Sequence, residues 1–150
     1  MIVRLATLSD AVEVLKWRND FQTRVMSWNV NKVEKAAHIK WFDDSVKDQN
    51  RIFLIGELGG RKAGMVRFDA LVEESNAWKV SIMVSPELRN QGVGTDLLKL
   101  AIQYFHSKLP ESVLVAEVKK ENEASKKLFE RHNFELMEFD SKKLVYKLLH

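Results

Sequence analysis

Six residues of this chain, Arg89-Asn90-Gln91-Gly92-Val93-Gly94, have the make-up of an anion cradle. They stand between an alternating run, Trp78 to Val84, expected to be a strand, and an amphipathic pattern, Thr95 to His106, expected to be a helix. A helix start leaves N–H groups without intrahelical partners at the positive end of its dipole. Glycines let the backbone approach a ligand in dihedrals that a Cβ forbids. The chemistry on offer is phosphate or pyrophosphate binding. A Gly-x-Gly turn also serves as a plain connector, so the loop by itself leaves both readings open. Elsewhere His38, Trp41 and Ser45 recur at helical spacing, a stripe that could look into a pocket instead of the core. Cysteine is absent, which removes disulfides, thiolate metal sites and a cysteine nucleophile, and no metal site is expected. With no Gly-x-Ser-x-Gly elbow either, a covalent acyl-enzyme has no obvious nucleophile.

The elements that must position these residues follow from local patterns. Ile2 to Leu5 is β-prone, and Thr7-Leu8-Ser9-Asp10 has the spacing of a helix cap, with Ala11, Val14, Leu15 and Arg18 on one face of the helix it starts. Asp20 to Asn31 reads as irregular. A second helix over about Val33 to Lys47 carries Ile39, Phe42 and Val46 inward. Arg51 to Leu58, the Gly59-Gly60 turn and Lys62 to Leu71 make a hairpin, and Trp78 to Val84 continues it as a meander that Ser85-Pro86 ends. The helix after the loop buries Leu97, Leu98, Ala101, Ile102 and Phe105. Val113 to Val118 is apolar enough for a central strand, parallel to Trp78 to Val84 across the helical crossover. Asn122 to His132 is a helix with Ala124, Leu128 and Phe129 inward, and Phe134 to Phe139 with Leu144 to Leu149 closes the chain as a hairpin. The class is mixed α/β.

The chain has 150 residues, 45% of them apolar, enough for one core, so a single domain over residues 1–150 is expected. No window approaches a membrane span and Met1 to Asp10 lacks a signal-peptide pattern, which points to a soluble cytoplasmic protein. A formal net charge of +3 suits a polyanionic small ligand or an ordinary surface, and no concentrated basic arm speaks for nucleic acid. A monomer or a homodimer is expected.

The whole chain resembles the GNAT superfamily of acetyl-CoA-dependent N-acetyltransferases. Arg89 to Gly94 matches its Arg/Gln-x-x-Gly-x-Gly/Ala signature, with Val84-Ser85-Pro86 before it. Asn122-Glu123-Ala124-Ser125, Leu128-Phe129-Glu130 and Phe134 are similar to its second signature. The resemblance implies a splayed mixed sheet of about seven strands flanked by about four helices, with acetyl-CoA in the gap between 78–84 and 113–118. Met83, Val84, Arg89, Asn90, Gln91, Gly92, Val93, Gly94 and Thr95 would hold it on one side, and Asn122, Ser125 and Phe129 on the other. It also implies that the N–H of Val84, or of a neighbour at a strand bulge, faces the thioester oxygen.

Two residues depart from the pattern. Asn133 stands where a glycine is usual, and asparagine tolerates the left-handed capping conformation. Phe129 stands where many members have a tyrosine acid and has no proton to give; acid assistance to a thiolate leaving group is bounded at roughly 10² to 10⁴-fold. Tyr104 and Tyr146, the two tyrosines, read as packed or surface aromatics. For the amine proton, a water-relayed path through Ser81 is favoured, with no carboxylate beside it on its strand, and His38 is the second candidate.

Trp17-Arg18-Asn19, Arg24, His38-x-x-Trp41-Phe42 and Gly64 to Asp69 are similar to the branch that acetylates 4-amino-sugars on nucleotide carriers, including enzymes of the pseudaminic acid pathway. A nucleotide-sugar partner would use Arg18 or Arg24 for phosphates and Trp41 or His38 for stacking, with Asn19 and Arg67 nearby. In the other direction Trp17 and Trp41 are core and the arginines are structural. The ribosomal-protein N-terminal acetyltransferases share this style of opening, and a catalytically idle acyl-CoA-binding domain is the third alternative.

Overall fold

The computed structural model describes residues 1–149. Seven strands form one mixed sheet: β1 (Ile2–Leu5), β2 (Arg51–Leu58), β3 (Arg61–Ala70), β4 (Ala77–Val84), β5 (Val113–Lys119), β6 (Glu135–Phe139) and β7 (Lys143–Leu148), in the order β1-β2-β3-β4-β5-β7-β6. The helices are α1 (Ala11–Asn19), α2 (Phe21–Met26), α3 (Lys35–Lys47), α4 (Val93–Lys108) and α5 (Glu123–Arg131).

Strand alternation sends successive side chains to two separate cores. Leu54, Val66, Phe68 and Val80 meet Leu97, Leu98 and Phe105 of α4 and Phe129 of α5 on one face. Phe53, Ile55 and Met65 meet Val14 and Trp17 of α1 and Phe42 of α3 on the other. Both faces of the central strands are therefore dry, as the apolar runs require.

The expected parallel pairing of β4 with β5 is present but brief. It covers Ala77–Val113, Trp78–Leu114 and Lys79–Val115, although β4 continues to Val84 and β5 to Lys119. Each strand keeps its outer partner over its length, β4 with β3 from Trp78 to Val84 and β5 with β7 from Leu114 to Lys119. The two halves of the sheet splay apart beyond Lys79, and the inner edges face each other across a gap.

Several local expectations change. The stretch 20–31, expected to be irregular, contains α2, whose N-cap Asp20 accepts the Thr23 N–H at 3.1 Å. The helix is six residues long and buries none of them, so it has no apolar face for a periodicity to reveal. The described residues thus form five α-helices. Before α1, the Asp10 carboxylate accepts the Thr7 N–H at 2.9 Å, and a 3-10 turn over Leu8–Asp10 precedes the helix. Ala124, expected inward, is exposed, while Leu128 is half-buried and Phe129 buried. Asn133 does adopt the left-handed conformation, with φ 67°. The Phe134 N–H donates to the Phe129 carbonyl and the Asn133 N–H to Glu130, the two crossed bonds that close a helix around such a residue. No helix of the described residues is long and apolar enough to cross a membrane, and no cluster of potential metal ligands occurs among them.

Candidate functional site

The register of β3 and β4 decides what the gap presents. The Ser85 N–H donates to the Ala63 carbonyl at 2.8 Å, which makes the facing pair Gly64–Val84 a non-hydrogen-bonded one. The N–H of Val84 therefore points away from β3, and by alternation so does that of Ile82. On that side β5 has already diverged. The edge of β4 offers unpaired N–H groups to an extended ligand, which can add to it as a strand would. The bulge considered for this position is absent, since the pairing runs without a shift from Ala70–Trp78 to Gly64–Val84.

At the end of β4 a 3-10 turn, Pro86–Leu88, leads into the loop. Asn90 and Gly92 have φ of 62° and 76°, and Gly92 caps α4, which starts at Val93, two residues earlier than its pattern indicates. Only Gly92 of the two glycines needs its freedom of φ. Gly94 is helical, and a Cβ there would meet Val84 Cγ2 at 3.4 Å, an ordinary van der Waals contact, so neither its φ nor the packing of the protein itself demands a glycine. The N–H groups of Val93, Gly94 and Thr95 precede the first intrahelical bond, Asp96 N–H to the Gly92 carbonyl, and remain for an anion. Gln91 turns back to the Glu87 carbonyl, and Arg89 reaches across to Asp20, Gln22 and Thr23. On the opposite lip, Asn122 caps α5 through the Ser125 N–H at 3.1 Å. Phe129 is only 3% exposed and packs on Phe134 with ring centroids 5.0 Å apart. It is core, and its ring does not line the gap.

Met83 belongs to the α1/α3 face of the sheet, and alternation places Ser81 there too. Cross-strand register sets Ser81 beside Arg67 and Phe53. Arg67 lies 5.2 Å from the centre of the Trp41 ring, Arg18 at 5.0 Å and Arg51 at 5.7 Å. Asp69 accepts from Arg51 at 2.6 Å and from Arg67 at 3.0 Å. Arg18 has no ion pair among the described residues, and burial followed by the charge of Arg67 makes its guanidinium less basic than usual. Three guanidinium groups against one carboxylate leave this patch strongly cationic.

Other expected site residues lie elsewhere. His38 is fully buried between Trp41 and Phe42. Burial pushes its imidazole below its ordinary titration range, against the bond to the Ala11 carbonyl and with the Arg18 charge. Its Nε2–H faces that carbonyl at 2.9 Å, and neither it nor the buried Ser45 looks into a pocket. Asn19 clips the chain to both backbone groups of Val33. Arg24 is spent on the carbonyls of Asn19 and Val30, and Trp17 is core. Tyr146 is buried, and its hydroxyl donates to Glu130 at 2.9 Å; burial first and that contact second push it up to about 12.

A carboxylate does stand at the site, on the opposite strand. Ser81 and Glu117 each lie two residues past the last β4–β5 pair, Lys79–Val115, on strands that have begun to part. The ion pair of Glu117 with Lys79, at 3.4 Å, shows that its side chain is on the same face as Ser81. The apolar run Val113 to Val118 had pointed only to a buried strand. The signal available was the one charged residue inside it.

The family described as acetyltransferase (GNAT) domain matches residues 1–135. The chain belongs to that family. It is 29% identical over 93 residues to the spermidine N(1)-acetyltransferase of Escherichia coli (strain K12), a match over 62% of this chain and 50% of that protein. The chain thus spans about half the length of the curated relatives it matches. Among solved structures, the ribosomal-protein-alanine N-acetyltransferase from Brucella melitensis superposes with a TM-score of 0.84 at 21% identity over 100% of both chains. The aminoglycoside acetyltransferase AAC(6')-Ib in complex with coenzyme A superposes with a TM-score of 0.85 at 15% identity, over 99% of this chain and 94% of that one. At such identities the likeness of this GNAT domain to them is one of fold.

Proposed function

We propose that this domain transfers an acetyl group from acetyl-CoA to a primary amine, and that the acceptor is the 4-amino group of a nucleotide-linked amino-sugar. The observation that carries the transfer is the unpaired edge of β4, which ends on Val84 beside a left-handed glycine and an open helix start. Acetyl-CoA fits it: the Val93, Gly94 and Thr95 N–H groups suit the pyrophosphate, and the Ile82 and Val84 edge suits an amide-bearing arm. When bound, the cofactor supplies an acetyl thioester whose carbonyl carbon is open to an amine and whose thiolate can depart, since thiols titrate near about 8.5. The Val84 N–H is the donor that would hold the carbonyl oxygen. Glu117 takes the ammonium proton through water, with the Ser81 hydroxyl as relay. Phe129 contributes no proton, and Tyr146 is committed to Glu130.

The cationic patch supports an acceptor that carries phosphate. Arg18 and Arg67 meet a diphosphate with guanidinium forks, and Arg51 stays with Asp69 and Ser45. A polyamine would be repelled by the same patch. The second reading, a protein N-terminus as acceptor, is favoured by the full-length likeness to a ribosomal-protein-alanine N-acetyltransferase.

Saturating acetyl-CoA, at about 100 times its Kd, should stabilise the native state by ~2.7 kcal/mol and raise the melting temperature by about 5–10 °C; no shift ends the acetyltransferase reading. Thiol release with UDP-4-amino-sugars, N-terminal peptides and spermidine then separates the acceptors, and turnover of peptides alone overturns the sugar. Glu117→Gln should lower kcat/KM by roughly 10² to 10³-fold. If Glu117→Gln keeps the wild-type kcat/KM, the carboxylate is a spectator.

A further inference from the structure

We propose that Asp20 is a positioning residue for the cofactor loop: through Arg89 it ties that loop to the first turn of α2, so that filling the loop and seating α2 across the mouth of the gap are one coupled event. This rests on the reading that the loop binds acetyl-CoA.

Arg89 is the first residue of the glycine loop, yet its guanidinium is spent on another element. Its Nη2 donates to Asp20 Oδ2 at 2.5 Å and to Thr23 Oγ1 at 2.7 Å, and its Nη1 donates to Gln22 Oε1 at 2.8 Å. The same Asp20 oxygen accepts the Thr23 N–H that caps α2 and the Thr23 hydroxyl at 3.3 Å. One carboxylate oxygen therefore joins the start of the loop to the start of the helix. The Arg89 contact, first, and the Thr23 N–H hold this carboxyl below the usual carboxylate range. Further along the segment, Lys119 of β5 donates to the Val25 carbonyl at 3.2 Å and lies 5.8 Å from the centre of the Trp28 ring.

Arg89 follows the end of β4 and Lys119 ends β5. These are the two lips of the gap, and the 20–31 segment runs between them. No residue of α2 is buried, so side-chain clasps take the place of a packed face in holding it. Anchoring the Arg89 side chain also anchors the main chain from which Asn90 and Gly92 continue in left-handed conformations. Linkage is reciprocal: if the clasp organises the loop for an anion, an anion in the loop strengthens the clasp.

The sign of one substitution separates this from plain electrostatics. Asp20 is an anion next to a site for a polyanion, so by Coulomb's law alone its removal should tighten CoA binding, the more so because it frees Arg89. The clasp requires the reverse. Titration calorimetry with CoA as the probe should show Asp20→Ala binding about 10-fold more weakly than wild type, the worth of one charge-assisted hydrogen bond. Asp20→Asn, which keeps an acceptor for the Thr23 N–H, should lose less. Asp20→Ala combined with Arg89→Gln should bind no more weakly than Arg89→Gln alone, which also guards against a general loss of fold. By hydrogen exchange, CoA should slow residues 21–26 about 10-fold in the wild type and leave them unchanged in Asp20→Ala. Equal or tighter CoA binding by Asp20→Ala, or additive losses in the double variant, overturns the clasp. A wild type that does not bind CoA overturns the assignment of the loop itself, and the clasp with it.

Discussion

Gly64→Ala is expected to destabilise the domain by about 3 kcal/mol and to weaken acetyl-CoA binding in the molecules that remain folded. Gly64 is buried in β3 opposite Val84, in the non-hydrogen-bonded register where facing backbones come closest. A Cβ there would lie 2.5 Å from the Met83 carbonyl oxygen, 2.8 Å from Leu97 Cδ2 and 3.2 Å from Val84 Cα. Leu97 can turn away, but the other two contacts are backbone, so the end of β4 must move. That movement carries the Val84 N–H with it. Urea unfolding gives the stability and calorimetry with CoA gives the affinity; an unchanged denaturation midpoint would show that β4 yields without cost and that the close approach is not needed.

The second large effect is expected at Asp10, far from the loop. Its carboxylate is fully buried and takes both Nη groups of Arg4 at 2.8 Å, Lys62 Nζ at 2.8 Å and the Thr7 N–H at 2.9 Å. Burial by itself would push this carboxyl up, but the bonds from Arg4, Lys62 and Thr7 together hold it far below the usual carboxylate range. It fastens the entry of α1 to β1 and β3, and so fixes the helix that carries Arg18 and Trp17. Asp10→Ala should cost about 3 kcal/mol at neutral pH, because the half-buried Arg4 and Lys62 lose their counter-charge and the Thr7 N–H loses its acceptor. A depressed folded pKa means that the stabilisation is whole above the unfolded value of about 3.9 and is lost as pH falls below it. Urea midpoints of wild type and Asp10→Asn should therefore differ most at pH 7 and converge toward pH 3. A difference that is the same at both pH values would assign the stabilisation to packing.

Apart from α2, the order of the elements was legible in the sequence, and so were the meander, the parallel crossover, the cap spacing at Thr7 to Asp10 and the left-handed cap at Asn133. Each rests on a local rule: period-two alternation, the tolerance of asparagine and glycine for positive φ, the capping oxygen of a short polar side chain. The cofactor half of the site is built from such rules, since a left-handed Gly92 and an open helix start are properties of consecutive residues. The acceptor half follows no local rule. His38 and Trp41 share a stripe on α3, yet one is sealed under aromatic rings and the other gathers three guanidinium groups.

What the amino-acid sequence by itself determined is the family fold and the loop from Arg89 to Gly94, because both depend on the steric preferences of near neighbours in the chain. Only the tertiary structure decided that the β4 edge toward β5 stays unpaired after Lys79, that Glu117 shares a face of the sheet with Ser81, and that Arg89 closes on Asp20 from 69 residues away. Those depend on which strands remain paired and where they part, and strand divergence is a balance among partners distant in sequence, with no trace in any short window of residues.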